Sequence, residues 1–181
     1  MAKEIKIRTI ATINARSFSA NLDEVKLPSG RTTERIRVEH PDASALVPIL
    51  DDGSIILVKQ FRYSIQEETL EIPAGKIDLG EDPETCIRRE FEEETGYRVK
   101  NLEFILDYVP AIGYSSEVLY IYKGTEIRPL NEKMIRSDEI SNVVILTLEE
   151  IYKSIKEGII KDGKTLIALY ALFCHHLTGD D

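Results

Sequence analysis

Polar and apolar residues alternate in part through residues 5–14 (IKIRTIATIN) and about 17–27, and this period, with its β-branched residues, predicts two β-strands. Pro28-Ser29-Gly30 is a turn signal, and the TTERIRVEH stretch after it predicts a returning strand. Residues 1–42 therefore predict a small antiparallel sheet ahead of a main domain spanning 43–181. A meander of that size is marginal alone and needs its own domain or a second subunit to lie against. Ala43–Leu50 and Ile55–Lys59 are apolar runs either side of Asp51-Asp52-Gly53-Ser54, a hairpin signal. Glu68–Ile72 predicts a short strand that delivers Pro73-Ala74-Gly75, and Leu102–Val109 and Val118–Tyr122 predict two more. Residues 124–141 are polar, acidic and aperiodic, so they predict a long loop of the kind that often carries function. Val143–Leu146 predicts a last strand, with a helix at about 148–156. Asp162 is placed to cap a final helix through His176, in which Leu166, Leu169, Tyr170 and Phe173 recur at helical spacing.

One helix differs from the rest. Asp82 suits an N-cap, Pro83 the first helical position and Gly96 a C-cap, which bounds a short helix between them. Ile87 and Phe91, four apart, can anchor one face in the core. Glu90, Glu93 and Glu94 stand at i, i+3 and i+4, so their carboxylates can share a face. The helix has no lysine to offset them, and its arginines, Arg88 and Arg89, sit upstream. A hard divalent cation bound through oxygen relieves such repulsion, Mg²⁺ with phosphate substrates being the common case. A solvated acidic face is the alternative reading of the glutamates alone.

Composition narrows the classes. At 43% hydrophobic and 30% charged the 181 residues are ordinary for a globular protein, and a net charge of −9 argues against a general nucleic-acid binder. Cys86 and Cys174 lack any C-x-x-C pairing, so neither a disulfide framework nor a zinc site is indicated, and reduced thiols are expected. No signal-peptide pattern and no apolar run of membrane-spanning length occurs, so a cytoplasmic protein with no membrane association is expected.

The stretch GKIDLGEDPETCIRREFEEETGY, from Gly75 to Tyr97, resembles the Nudix box, G-x5-E-x7-R-E-U-x-E-E-x-G-U with U apolar, and matches every defined position. The resemblance implies a helix–sheet–helix sandwich around a mixed sheet, an α/β (α+β) fold. The flanking segments VEHPDASALVPIL, LVKQFRYSI, LEIPAGKIDLGEDPE, VPAIGYSSEVLYIY and DGKTLIALY are together similar to the ADP-ribose pyrophosphatase branch, from about Arg35 to Tyr170. That branch cleaves ADP-ribose to AMP and ribose 5-phosphate with Mg²⁺ or Mn²⁺. It is commonly a homodimer in which the N-terminal sheet reaches across to its partner.

Residue by residue, the resemblance implies metal binding by Glu90, Glu93 and Glu94 with the main-chain carbonyl of Ala74. Arg89 is expected to orient a box glutamate by a salt bridge, Glu81 sits on the loop, and Gly75 lets the backbone turn tightly near the metals. Arg62, after the Gln-aromatic pair, is expected to hold substrate phosphate or ribose, and Arg35 to reach the nucleotide from the N-terminal sheet. Tyr114 and Glu117, on the loop opened by Pro110, are the remaining substrate candidates. Glu139 is the best match for the late-loop catalytic base, with Asp138 second. His175 and His176 are read as helix-end charges, not ligands. The chain departs from the family pattern at Asp42, which follows His40-Pro41 where glycine is usual, at Ala111-Ile112-Gly113 in place of Ser-Pro-Gly, and at Cys86-Ile87 and Phe91 in the box helix. Another nucleoside diphosphate sugar such as GDP-mannose is the alternative substrate. A non-catalytic ADP-ribose sensor is the alternative of another class, disfavoured by the complete box.

Overall fold

In a computed structural model, residues 3–130 and 139–178 are described, with side chains as far as residue 173. Asp138 and the side chains of Cys174, His175 and His176 lie outside the described residues. The chain forms two compact units, one of Met1–Asp42 with Tyr108–Val118 and one of Ala43–Asp107 with Leu119–Asp181.

In the first unit, β1 (Ile5–Asn14), β2 (Ser19–Lys26) and β3 (Thr32–Glu39) form an antiparallel sheet in the order β1-β2-β3. The register puts Thr9 opposite Asp23 and Arg37 opposite Asn21. Buried Asp23 accepts from Thr9 Oγ1 at 2.7 Å and pairs with Lys6 and Arg37, each at 3.1 Å. The pairs Ile13–Ala20 and Leu22–Ile36 belong to the other face, where Ile13 and Ile36 are exposed. The segment 108–118, which the sequence reading put in the main domain, clusters here: Val38 N–H donates to Tyr114 O, and Val118 N–H donates to Asp42 Oδ1. The aspartate found where the family has glycine is thus a backbone tether.

The second unit is a mixed α/β fold with two sheets. β10 (Ile140–Leu146), β5 (Ile55–Arg62) and β6 (Glu67–Glu71) are antiparallel in the order β10-β5-β6. β7 (Ala74–Lys76), β4 (Ala43–Pro48), β9 (Leu119–Pro129) and β8 (Tyr97–Tyr108) make a four-stranded sheet in which β4 and β9 run parallel. β4 is buried along its whole length, as a central strand covered on both faces must be. α1 (Pro83–Thr95) packs on β4 and β7, α2 (Leu148–Lys156) on β10, and α3 (Gly163–Thr178) on β4. Phe91 and Ile87 of α1 are fully buried with Leu46, Ile56, Val99 and Ile127, as their spacing requires.

Two expectations are corrected. Residues 124–129 continue β9 and 140–141 begin β10, so much of the expected loop at 124–141 is strand. Ile127 drops into the core, while Gly124 leaves room for Val99 and Leu46, contacts that join residues far apart in sequence. In α3 the buried face is Thr165, Ala168, Leu169 and Leu172, and Tyr170 is exposed. Leu169 is buried as its spacing predicts, but the rest of the buried face is Thr165, Ala168 and Leu172, and the small Thr165 and Ala168 gave no hydrophobic signal in the sequence.

Candidate active site

The site begins with the capping of α1. Asp82 Oδ1 accepts the N–H groups of Glu84 and Thr85 at 3.1 and 3.0 Å, Pro83 opens the helix, and Gly96 closes it at φ 73°. Only glycine adopts that left-handed conformation at little cost. With Ile87 and Phe91 locked in the core, rotation of α1 is set, and the glutamate face meets β7. Buried Glu94 accepts the Ala74 N–H at Oε2, 3.2 Å away. A Cβ built on Gly75 would overlap Cγ, Cδ and Oε1 of Glu90, so this glycine is required by a close approach. Its use is to make space for a carboxylate.

Arg89 is the hub. Nε and Nη2 grip the two oxygens of Glu81 at 3.0 and 2.9 Å, and Nη1 donates to Glu90 Oε1 at 2.7 Å, with Glu93 Oε2 3.6 Å away. A planar guanidinium suits this bidentate role better than an ammonium would. Glu81 in turn accepts the Asp78 N–H at 3.1 Å, which ties down the loop. The Arg89 bond holds Glu81 below the usual carboxylate range, and these partners push Arg89 above its usual value. Arg89 thus bonds Glu81 and Glu90 at once and stands close to Glu93.

Glu90 and Glu94 are electrostatically in conflict. Burial raises Glu90, and burial together with the Glu90 charge raises Glu94 to about 8. Among the described residues, no three Asp, Glu, His or Cys side chains are gathered as a ready metal cage. Glu93 is turned outward, 39% exposed, while Glu90 and Glu94 face the β7 backbone. The three carboxylates implied by the spacing therefore divide into an inner pair and an outer third. Hard oxygen donors in mutual repulsion, in a cradle that a methyl group would fill, fit a hard divalent cation.

The remaining candidates fall in two places. Glu139 precedes β10, and its Oε2 accepts from Gln60 Nε2 at 2.7 Å. Arg62, at the end of β5, pairs side-on with Glu71: Nε to Oε1 at 2.7 Å and Nη2 to Oε2 at 2.5 Å. Glu71 also accepts from Thr69 and Lys164. Burial pushes the Glu71 carboxyl up, but Arg62, Lys164 and Thr69 overcome it and hold it at about 2. Arg35, Tyr114 and Glu117 belong to the other unit. Arg35 is paired with Glu4 at 2.8 Å, Tyr114 is exposed, and Glu117 Oε1 lies 3.4 Å from His40 Nδ1. Gln60, Glu71 and Lys164 were missed from sequence. A charge between Leu70 and Ile72, in a strand leading to the glutamate helix, was the available signal for Glu71.

The family model for the NUDIX domain matches residues 39–169, which span the box, both sheets of the second unit and the start of α3. The chain belongs to the Nudix family. Its fold is that of Nudix hydrolases: the crystal structure of an ADP compounds hydrolase superposes with a TM-score of 0.83 at 21% identity, over 98% of this chain and 95% of that one. The ADP-ribose pyrophosphatase of Bacillus subtilis (strain 168) is 36% identical, with 94% of each chain covered. The methanol dehydrogenase activator of Bacillus methanolicus is also 36% identical, over 94% of this chain and 92% of its own. The GDP-mannose pyrophosphatase of Yersinia pestis (strain Pestoides F) is 29% identical over 81% of this chain and 79% of its own. Within this Nudix chain, Arg89, Glu90, Glu93 and Glu94 are the box residues whose geometry is described above.

Proposed function

We propose that this Nudix hydrolase is a Mg²⁺- or Mn²⁺-dependent ADP-ribose pyrophosphatase that yields AMP and ribose 5-phosphate. The observation that carries the reading is the inner pair Glu90–Glu94, set against Ala74 and Gly75 and oriented through Arg89. The likeness to the Bacillus subtilis enzyme over 94% of both chains supports the substrate. Glu90, Glu93, Glu94 and the Ala74 carbonyl would hold the cation. When bound, it supplies charge neutralisation on the phosphate oxygens and lowers the pKa of water. The chain's own groups do the rest. Arg89 keeps Glu90 in place, and Arg62 holds a substrate phosphate. Glu139, oriented by Gln60, takes the proton of the attacking water as its oxygen bonds to phosphorus and the bridging P–O bond breaks.

Arg35, Tyr114 and Glu117 are assigned to substrate recognition. Residues 1–42 are assigned to dimerisation and 43–181 to the hydrolase domain. The exposed Ile13 and Ile36 on one sheet face support a homodimer, which light scattering would measure. The reading places the enzyme in the cytoplasm, where a buried reduced Cys86 is the ordinary state.

The test is product analysis after incubation with Mg²⁺ and ADP-ribose, GDP-mannose or dGTP in parallel, with Glu94→Gln as control. AMP and ribose 5-phosphate from ADP-ribose, lost in the variant, is the expected result. Turnover of GDP-mannose alone would move the substrate. Tight ADP-ribose binding without turnover of any of the three would replace the enzyme with a sensor.

A further inference from the structure

The stretch Asp162-Gly163-Lys164-Thr165 contributes to the resemblance, yet the mechanism above gives it no role. It opens α3 and turns back onto the strand that leads to the box. Asp162 Oδ2 accepts from the Thr165 N–H at 2.9 Å and from Thr165 Oγ1 at 2.6 Å, and Thr165 Oγ1 accepts the Ile72 N–H at 2.9 Å. Lys164 Nζ donates to Glu71 Oε2 and lies 3.0 Å from Asp162 Oδ2. Glu71 is 1% exposed, and both of its oxygens are shared: Oε1 by Arg62 and Thr69, Oε2 by Arg62 and Lys164. Two cations thus meet two carboxylates, and the cluster is neutral.

The geometry at Arg62 gives the cluster a direction. Glu71 grips the guanidinium along its Nε–Nη2 edge, and among the described residues Nη1 makes no hydrogen bond. The side chain is 41% exposed. A guanidinium held along one edge presents the other as a fixed fork, which costs less to order on a phosphate than a mobile one. A buried carboxylate needs further hydrogen bonds to offset its desolvation, and Lys164 and Thr69 supply them to Glu71.

We infer that Glu71 and Lys164 are positioning residues that hold Arg62 with its outer edge toward a substrate phosphate. The inference rests on the role given to Arg62 under the proposed function. Thr165, bonded to the Ile72 N–H, anchors Lys164 beside the end of β6.

Two measurements test it. In a ¹H–¹⁵N spectrum of the wild-type protein, the Arg62 Nε–H should exchange slowly and should shift on addition of inorganic pyrophosphate without metal. A fast-exchanging or unshifted signal overturns the inference, whatever the natural substrate proves to be. In kinetics with ADP-ribose, Lys164→Met should raise KM about 10-fold with a smaller change in kcat, and Lys164→Arg should recover most of the loss. In an Arg62→Gln background, Lys164→Met should add little, because it acts through Arg62. Equal losses in both backgrounds, or a fall in melting temperature with KM unchanged, would mean packing alone and overturn it. A wild-type protein that shows the pyrophosphate shift but leaves ADP-ribose intact refutes the proposed function and leaves the clamp standing.

Discussion

Gly75→Ala adds one methyl group where Glu90 already lies. Gly75 does not occupy the left-handed region, so the backbone accepts alanine and the whole effect is steric. The new Cβ would overlap Glu90 Cγ, Cδ and Oε1, which forces that side chain to swing away. Its 2.7 Å bond from Arg89 Nη1 is lost, and with it the position of this carboxylate beside Glu94. A charge-assisted hydrogen bond is worth about 1.5–3 kcal/mol, and a tenfold rate change corresponds to about 1.4 kcal/mol. The expected loss in kcat/KM for ADP-ribose is therefore roughly 10- to 150-fold. Gly124→Ala is the matched control, with its Cβ 2.8 Å from Val99 Cγ2 and 2.9 Å from Leu46 Cδ1 in the core. It should cost about 1–3 kcal/mol in urea unfolding and leave kcat/KM near the wild-type value. The assay is initial-rate hydrolysis beside equilibrium unfolding for both variants. Activity of Gly75→Ala within about twofold of wild type would refute the claim that the cradle sets Glu90.

Other outcomes follow from the same contacts. The Glu71 carboxyl is depressed from 4.5 to about 2, so its stabilisation is complete above 4.5 and disappears as pH falls toward 2. The loss should approach roughly 3 kcal/mol in unfolding titrations between pH 5 and 2, and Glu71→Gln should flatten that part of the profile. Mg²⁺ should raise the melting temperature of the wild type by relieving the Glu90–Glu94 conflict, and Glu94→Gln should remove most of that rise; an equal rise in both would place the cation elsewhere. Asp82→Ala removes the acceptor of two α1 N–H groups and should cost about 1 kcal/mol, measured by urea unfolding.

The box helix was legible in the sequence because its information is local. Asp82, Pro83 and Gly96 act within a turn of where they stand, and the 87/91 and 90/93/94 spacings set which side faces inward whatever surrounds the helix. The same locality made β1 to β6 readable from alternation and turn residues. What spacing could not decide was which carboxylates converge. Glu90 and Glu94 became the inner pair because β7 lies against them, and β7 is held there by pairing with β4, some thirty residues earlier. The strand at 124–129 was hidden for a similar reason, since Gly124 lies against Val99 and Leu46 and Ile127 joins a core cluster with Leu46, Ile56 and Phe91, all distant in sequence. Glu71 and Lys164 are 93 residues apart, and neither is conspicuous until α3 docks on the β6–β7 segment. Periodicity records the solvent-facing or core-facing sense of each residue, but a buried ion pair depends on two distant positions at once. That is a property only the tertiary structure carries.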